Sequence, residues 1–183
     1  MTTSMSVKLI YFCFTQLIIF TLMKKEKEVI PKSTFQHAFR LAKKAILIAL
    51  ILTPIRFSLE LAGLPESVIF IIGLLWLTLG FAIYWGIKLY NEKNSYLILL
   101  LSLLIFSPIS RFPVAILWWI DTRWKIGTHY SLYFDNFAQA TFQQVVYGSL
   151  IQFIPGFLLG AITIAIMRNK KNVIKKMKTI ENE

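Results

Sequence analysis

Long apolar blocks constrain this chain more than any other feature: residues 45–62, 67–87, 96–120 and 142–167 are dominated by aliphatic and aromatic side chains. About 18 or more such residues are what an α-helix needs to cross roughly 30 Å of hydrocarbon. The expected fold is all-α, a polytopic integral membrane protein with four core transmembrane helices at those positions. Composition agrees. Hydrophobic residues make up 56% of the 183 and charged ones only 16%, with a mean hydropathy of +0.63, whereas soluble domains carry roughly 25% charged residues. Five Trp, seven Tyr and fifteen Phe suit a bilayer, whose headgroup region holds amphipathic rings and whose interior accepts Phe.

Three regions follow from this pattern. Residues 1–44 form an N-terminal segment, 45–167 the transmembrane domain, and 168–183 a basic cytoplasmic tail. Within the first, residues 7–23 are apolar but carry Lys8 and run into Lys24-Lys25-Glu26-Lys27-Glu28. They read as a fifth span, as a translation-start artefact upstream of Met23, or as a cleaved signal segment. The last is disfavoured because Phe20-Thr21-Leu22-Met23 lacks the small-x-small pattern of a cleavage site. From Ser33, a plausible N-cap, Phe35, Phe39 and Ala42 recur at helical spacing, predicting a basic lead-in helix before the first span.

Turn chemistry separates the spans. Gly63-Leu64-Pro65-Glu66 supplies the Gly and Pro that stop one helix and start an antiparallel neighbour. The third span contains Pro108 and Pro113, each of which removes a backbone donor and crowds the preceding turn, so a kink or break is expected there. Orientation comes from charge. Fifteen of the twenty Lys and Arg lie in residues 24–44, in 88–94 or in the tail, while the opposite loops hold only Arg123 and Lys125. The positive-inside rule therefore places the lead-in, the 88–94 loop and the C-terminus in the cytoplasm, as in a bacterial cytoplasmic membrane.

Charged residues inside the spans are the candidate ligand-binding groups: Arg56 and Glu60 in the first, Arg111 in the third. An ionised group at a helix centre in a membrane costs at least about 2.5 kcal/mol, so it needs a partner or water. Arg56 and Glu60 are four residues apart and can pair on one helix face, though Arg before Glu is the weaker order. The bland alternative is that Arg56 snorkels outward and pairs with Glu60 for structure alone. Thr53-Pro54-Ile55-Arg56-Phe57 resembles Ser107-Pro108-Ile109-Ser110-Arg111-Phe112, a short internal repeat if Ser110 is an insertion, which would rotate Arg111 by about 100°. Broken helices from two such halves form binding sites in transporters.

Catalytic signals are weaker. Asp121, His129 and Asp135 sit in an outer loop with Trp118, Trp119 and Trp124; these are residue types for acid–base work, but no spacing matches a metalloprotease helix, a nucleophile elbow or a phosphate loop. From Tyr130, the positions Tyr133, Phe134, Phe137, Phe142 and Val145 suggest an interfacial helix. The single Cys13 offers neither an intrachain disulfide nor a cysteine-based zinc site. Neither a metal nor a cofactor is expected.

Partners are expected in the membrane, not among nucleic acids, because the net charge of +11 is placed as an orientation signal. Gly156 and Gly160 form a GxxxG step suited to close helix approach, either within the fold or to a second copy or partner subunit. Gln152 is positioned to bond across helices or to a carbonyl freed by Pro155. The tail, with Val173, Ile174, Met177 and Ile180 among lysines, suits anionic lipid at the cytoplasmic face. The functional expectation is a small non-enzymatic accessory subunit or a binding or translocation module for an anionic or lipidic ligand. An outer-face enzyme acting on a lipid-linked substrate is the alternative.

Overall fold

The computed structural model describes residues 32–65, 73–128, 134 and 136–181. Two compact units divide the chain, Met1–Gln36 and His37–Glu183. Of the first, only 32–36, the start of a helix, are described; the expected span at 7–23 lies outside the described residues. Every regular element is helical among those described: α1 (Lys32–Leu61), α2 (Leu74–Leu89), α3 (Ser95–Trp124), α4 (Phe137–Phe142), a π-helical segment (Gln143–Gly148) and α5 (Ser149–Glu181). The all-helical expectation therefore holds.

Helix α1 buries a stripe of small side chains, Ala38, Ala42, Ala45, Ala49 and Thr53, each fully enclosed, and ends it on Phe57. Steps of three and four keep these on one face. Small side chains let backbones approach closely, and the Ser102 hydroxyl of α3 reaches the Ala38 carbonyl at 3.3 Å. The helix stops as its sequence predicts. Gly63 adopts φ 83°, Leu64 N–H donates to Leu59 O and Gly63 N–H to Glu60 O, the paired bonds of a Schellman cap. Pro65 follows.

Helices α2, α3 and α5 form a close three-helix arrangement whose directions can be read from their contacts. A Cβ on Gly156 would lie 3.1 Å from Thr78, and one on Gly160 3.1 Å from the Ala82 carbonyl; numbers rise together, so α2 and α5 run parallel. Gly156 also faces Leu103, Gly160 faces Leu99 and Gly148 faces Arg111, so α3 runs antiparallel to α5. Rings seal α2 against α3: Trp85 meets Phe106 edge to face at 6.2 Å, and Phe81 lies 6.4 Å from Phe106. The GxxxG step is thus taken up by packing within the chain, α5 against α2 and α3.

One expectation changes. Helix α3 is one 30-residue helix through Pro108 and Pro113, without the expected break. Each proline deletes a single rung of the helical ladder, while a buried face continues on both sides of them through Leu99, Leu103, Phe106, Ser110, Val114 and Trp118. Packing along the whole helix outweighs two missing bonds. The basic tail continues α5 as helix, to Glu181.

Two helical stretches are long and apolar enough to cross a membrane, Ser95–Trp124 and Phe137–Ile174, and Leu74–Leu89 is a shorter apolar helix. In α1, Arg40, Lys43, Lys44, Arg56 and Glu60 leave no stretch of 18 residues with fewer than three charges. The first six residues of the expected second span, 67–72, lie outside the described residues.

Candidate functional site

The polar residues of the described fold gather where α3 crosses the π-helical segment and the start of α5. Arg111 leaves α3 half-buried and donates from Nη1 to Gln144 Oε1 at 3.3 Å. Its side chain lies against Gly148, where a Cβ would fall 3.3 Å from Cδ and Nε. Both partners belong to the π-helical segment. π-helical turns carry an extra residue per turn and are frequent at functional sites; here one turn presents an acceptor and a bare backbone to the same guanidinium.

One turn deeper, neutral groups replace charge. Ser110 donates to Ser107 O at 2.9 Å and to Gln152 Oε1 at 3.4 Å, the cross-helix bond expected of Gln152. Gln152, Ser107 and Ser110 are at most 1% exposed and Ser149 is 8% exposed. The Gln152 Nε2, Ser107 Oγ and Ser149 Oγ are buried without a hydrogen-bond partner. Buried polar groups are normally paired, so this seam is an exception that asks for an explanation. Below it the interface turns apolar, with Leu103 against Gly156 and Leu99 against Gly160.

The other expected ligand-binding residues sit elsewhere on α1. Arg56 and Glu60 are both half-buried, and Arg56 Nε is buried without a hydrogen-bond partner. The proposed repeat differs in its hydroxyls: Thr53 donates back to Ala49 O at 2.8 Å, whereas Ser107 Oγ makes no such bond.

Asp121, the described member of the catalytic candidates, closes the end of α3. It is fully buried. Its Oδ1 accepts from Gly127 N–H at 2.9 Å and Thr128 N–H at 3.2 Å, and Oδ2 from Thr128 Oγ–H at 2.7 Å. Lys125 and Gly127, with φ 50° and 84°, make the turn that brings those donors back. His129 and Asp135 lie outside the described residues, as do Tyr130 and Tyr133 of the expected interfacial helix. The helix itself begins at Phe137, capped by Asn136, whose Oδ1 accepts from Gln139 N–H at 2.9 Å. No group of three metal-ligating side chains occurs among the described residues.

Sequence reasoning singled out Arg111 and Gln152 but passed over Gln144, Gly148 and Ser149. The signal was a four-residue rhythm running from the π-helical segment into α5, Gly148, Gln152, Gly156, Gly160, a face of small residues with one amide in it. It also passed over Arg168, which donates from Nε to Tyr90 O and from Nη2 to Glu92 O and Ser95 Oγ, and stacks over Tyr96. Lys171 adds a bond to Asn91. These contacts fix the α2–α3 turn to α5 at the end opposite Arg111. No protein-family model, curated protein or solved structure matches the chain.

Proposed function

We propose that this chain is a multi-pass membrane protein that binds an anionic or lipidic ligand without transforming it, and that Arg111 is the charged centre of its site. The observation that carries this reading is the seat of Arg111: bonded to Gln144 and laid against the bare backbone of Gly148 in a π-helical turn, within the two stretches apolar enough to span a bilayer. A guanidinium presents several donors in a fixed plane and suits carboxylate or phosphate groups. A lipid headgroup at the bilayer edge carries such a group.

Several features support the membrane setting. Leu150, Ile154, Leu158, Ile162 and Ile166 form an exposed stripe on α5, opposite its buried small-residue face, and Leu47, Ile51 and Ile55 are exposed on α1. Contiguous apolar surface of this kind suits lipid better than water. The alternating directions of α2, α3 and α5 suit successive crossings, with α1 as the first of four. Charge distribution favours a cytoplasmic C-terminus, and the Arg168 clamp would sit at that side. The enzymatic alternative draws less support, because three hydrogen bonds from its own loop engage the Asp121 carboxylate.

The test is lipid capture. Native mass spectrometry of the protein released from mixed phosphatidylglycerol and phosphatidylcholine should show retention of the acidic lipid by wild type and about tenfold less by Arg111→Ala, the loss expected for one charged hydrogen-bonded contact. Equal retention by both proteins overturns the proposal.

A further inference from the structure

Hydroxyls in these helices have a habit, and three buried ones among the described residues, Ser107, Thr141 and Ser149, break it. Thr53, Thr78, Ser102, Thr122 and Thr163 each donate to the carbonyl four residues earlier at 2.6 to 2.9 Å, and Ser110 donates three residues back. Back-bonding is the ordinary way for a buried helical hydroxyl to satisfy itself. Ser107 and Ser149, both buried, make no hydrogen bond.

Their positions are related through the antiparallel register. Leu103 faces Gly156, so Ser107, one turn further along α3, stands opposite Gln152, one turn earlier on α5. Ser149 precedes Gln152 by three residues and shares its side of the helix. Gln152 Oε1 lies 3.4 Å from the Ser110 hydroxyl, and its buried Nε2 has no hydrogen-bond partner. The seam therefore presents an N–H donor and two O–H groups, all buried. No Asp or Glu occurs in residues 95–120 or 137–180, so neither helix supplies a carboxylate to the seam.

We infer that the α3–α5 seam is a binding site for a monatomic anion of halide size, held by the Ser107 and Ser149 hydroxyls and the Gln152 amide. Halides accept several hydrogen bonds from any direction, which suits donors brought together from two helices. The close approach of the helices disfavours a tetrahedral oxyanion: a Cβ on Gly148 would lie 3.3 Å from Arg111, and one on Gly156 would lie 3.4 Å from Leu103 Cδ2. Apolar packing of Leu103 and Leu99 on the glycines below closes the inner end, so along this seam the anion is retained and does not pass through. This site is separate from the lipid site proposed at Arg111 and needs only the neutral donors.

The experiment soaks crystals of the full-length protein in sodium bromide and measures anomalous diffraction, and in parallel follows thermal unfolding in bromide against gluconate at matched ionic strength. A bromide peak between Ser107 and Gln152, with a saturable rise in melting temperature, supports the site. Removing one donor from an ion lowers affinity about tenfold, so Ser107→Ala and Gln152→Leu should need about tenfold more bromide for the same rise, while Thr163→Val, whose hydroxyl bonds its own helix, should match wild type. An ordered water without anomalous signal overturns the proposal, as does equal melting in bromide and gluconate. If a variant fails to fold, the wild-type bromide map decides alone. Lipid capture is read separately, so bromide binding without acidic-lipid selectivity would sink the Arg111 reading and leave this one standing.

Discussion

Arg111 and Gly148 occupy one another's space: a single added carbon on the glycine would stand 3.3 Å from the arginine's Cδ and Nε and 3.4 Å from its Cζ. That separation is tight but not prohibitive, and the arginine is the more flexible partner. Gly148→Ala should push the guanidinium off Gln144 while leaving the fold intact. Helix propensity favours Ala over Gly by about 1 kcal/mol, which offsets the local crowding. The expected outcome is near-wild-type melting with reduced acidic-lipid retention, measured on the same preparation.

Crowding at the other glycines is of a different kind. A Cβ on Gly86 would lie 2.9 Å from the Gly160 carbonyl and 2.8 Å from Thr163 Cβ, and one on Gly160 would lie 2.8 Å from Leu99 Cδ2. Backbone cannot swing aside, and overpacking of a tight contact typically costs about 1–3 kcal/mol. Gly86→Ala should therefore destabilise more than Gly160→Ala, and both more than Gly80→Ala, where nothing lies within 4 Å. Denaturant titration in mixed micelles ranks the three.

Arg168 is predicted to hold the α2–α3 turn through geometry as well as charge. Its bonds to Tyr90 O, Glu92 O and Ser95 Oγ at 2.8 to 2.9 Å use two nitrogens of one planar group, which an ammonium cannot reproduce. Arg168→Ala should lower stability by about 1–3 kcal/mol, discounted for its partial exposure, and Arg168→Lys should recover only part of that. Faster amide exchange across residues 90–95 would report the released turn.

Asp121 is expected to behave as a structural carboxylate. Asp121→Ala deletes the acceptors for Gly127 N–H, Thr128 N–H and Thr128 Oγ–H, leaving buried donors unpaired at about 1–3 kcal/mol. The observable is protease cutting near residues 125–128, accelerated in the variant. Asp121→Asn retains one carbonyl acceptor and should fall between. A loop equally resistant in all three proteins would remove this role from Asp121.

Orientation can be checked with cysteine labelling in a Cys13→Ser background. Asn94→Cys should react with an impermeant maleimide from the cytoplasmic side and Arg123→Cys from the opposite side, both positions being exposed. Labelling of the two from the same face would contradict an odd number of crossings between them.

Several features could be read directly from residue order because they depend on neighbours along the chain. The Schellman stop at Gly63 needs only a residue that tolerates positive φ beside Pro65. The helices of α3 and α5 follow from apolar length. Gln152, an amide in the apolar stretch of α5, was expected to find a partner, and Ser110 lies within 3.4 Å of its Oε1. Other readings needed a third dimension. Four-residue spacing puts Arg56 and Glu60 on one helix face but does not by itself fix their partners. Two prolines in α3 read as a break until the continuous buried face is weighed against two lost rungs.

The opening feature, long apolar blocks, dictated helices, because in an apolar surrounding the backbone must satisfy its own hydrogen bonds and a helix does so within one segment. Periodicity could likewise say which face of each helix was small or large. Partner choice between those faces lay beyond it. That the GxxxG step closes on α2 and α3, that Arg111 settles on a π-helical glycine and that Ser107 comes to face Gln152 all depend on register between helices distant in sequence. Register is set by how whole side-chain surfaces interlock, a sum over many weak contacts that no short stretch of residues contains.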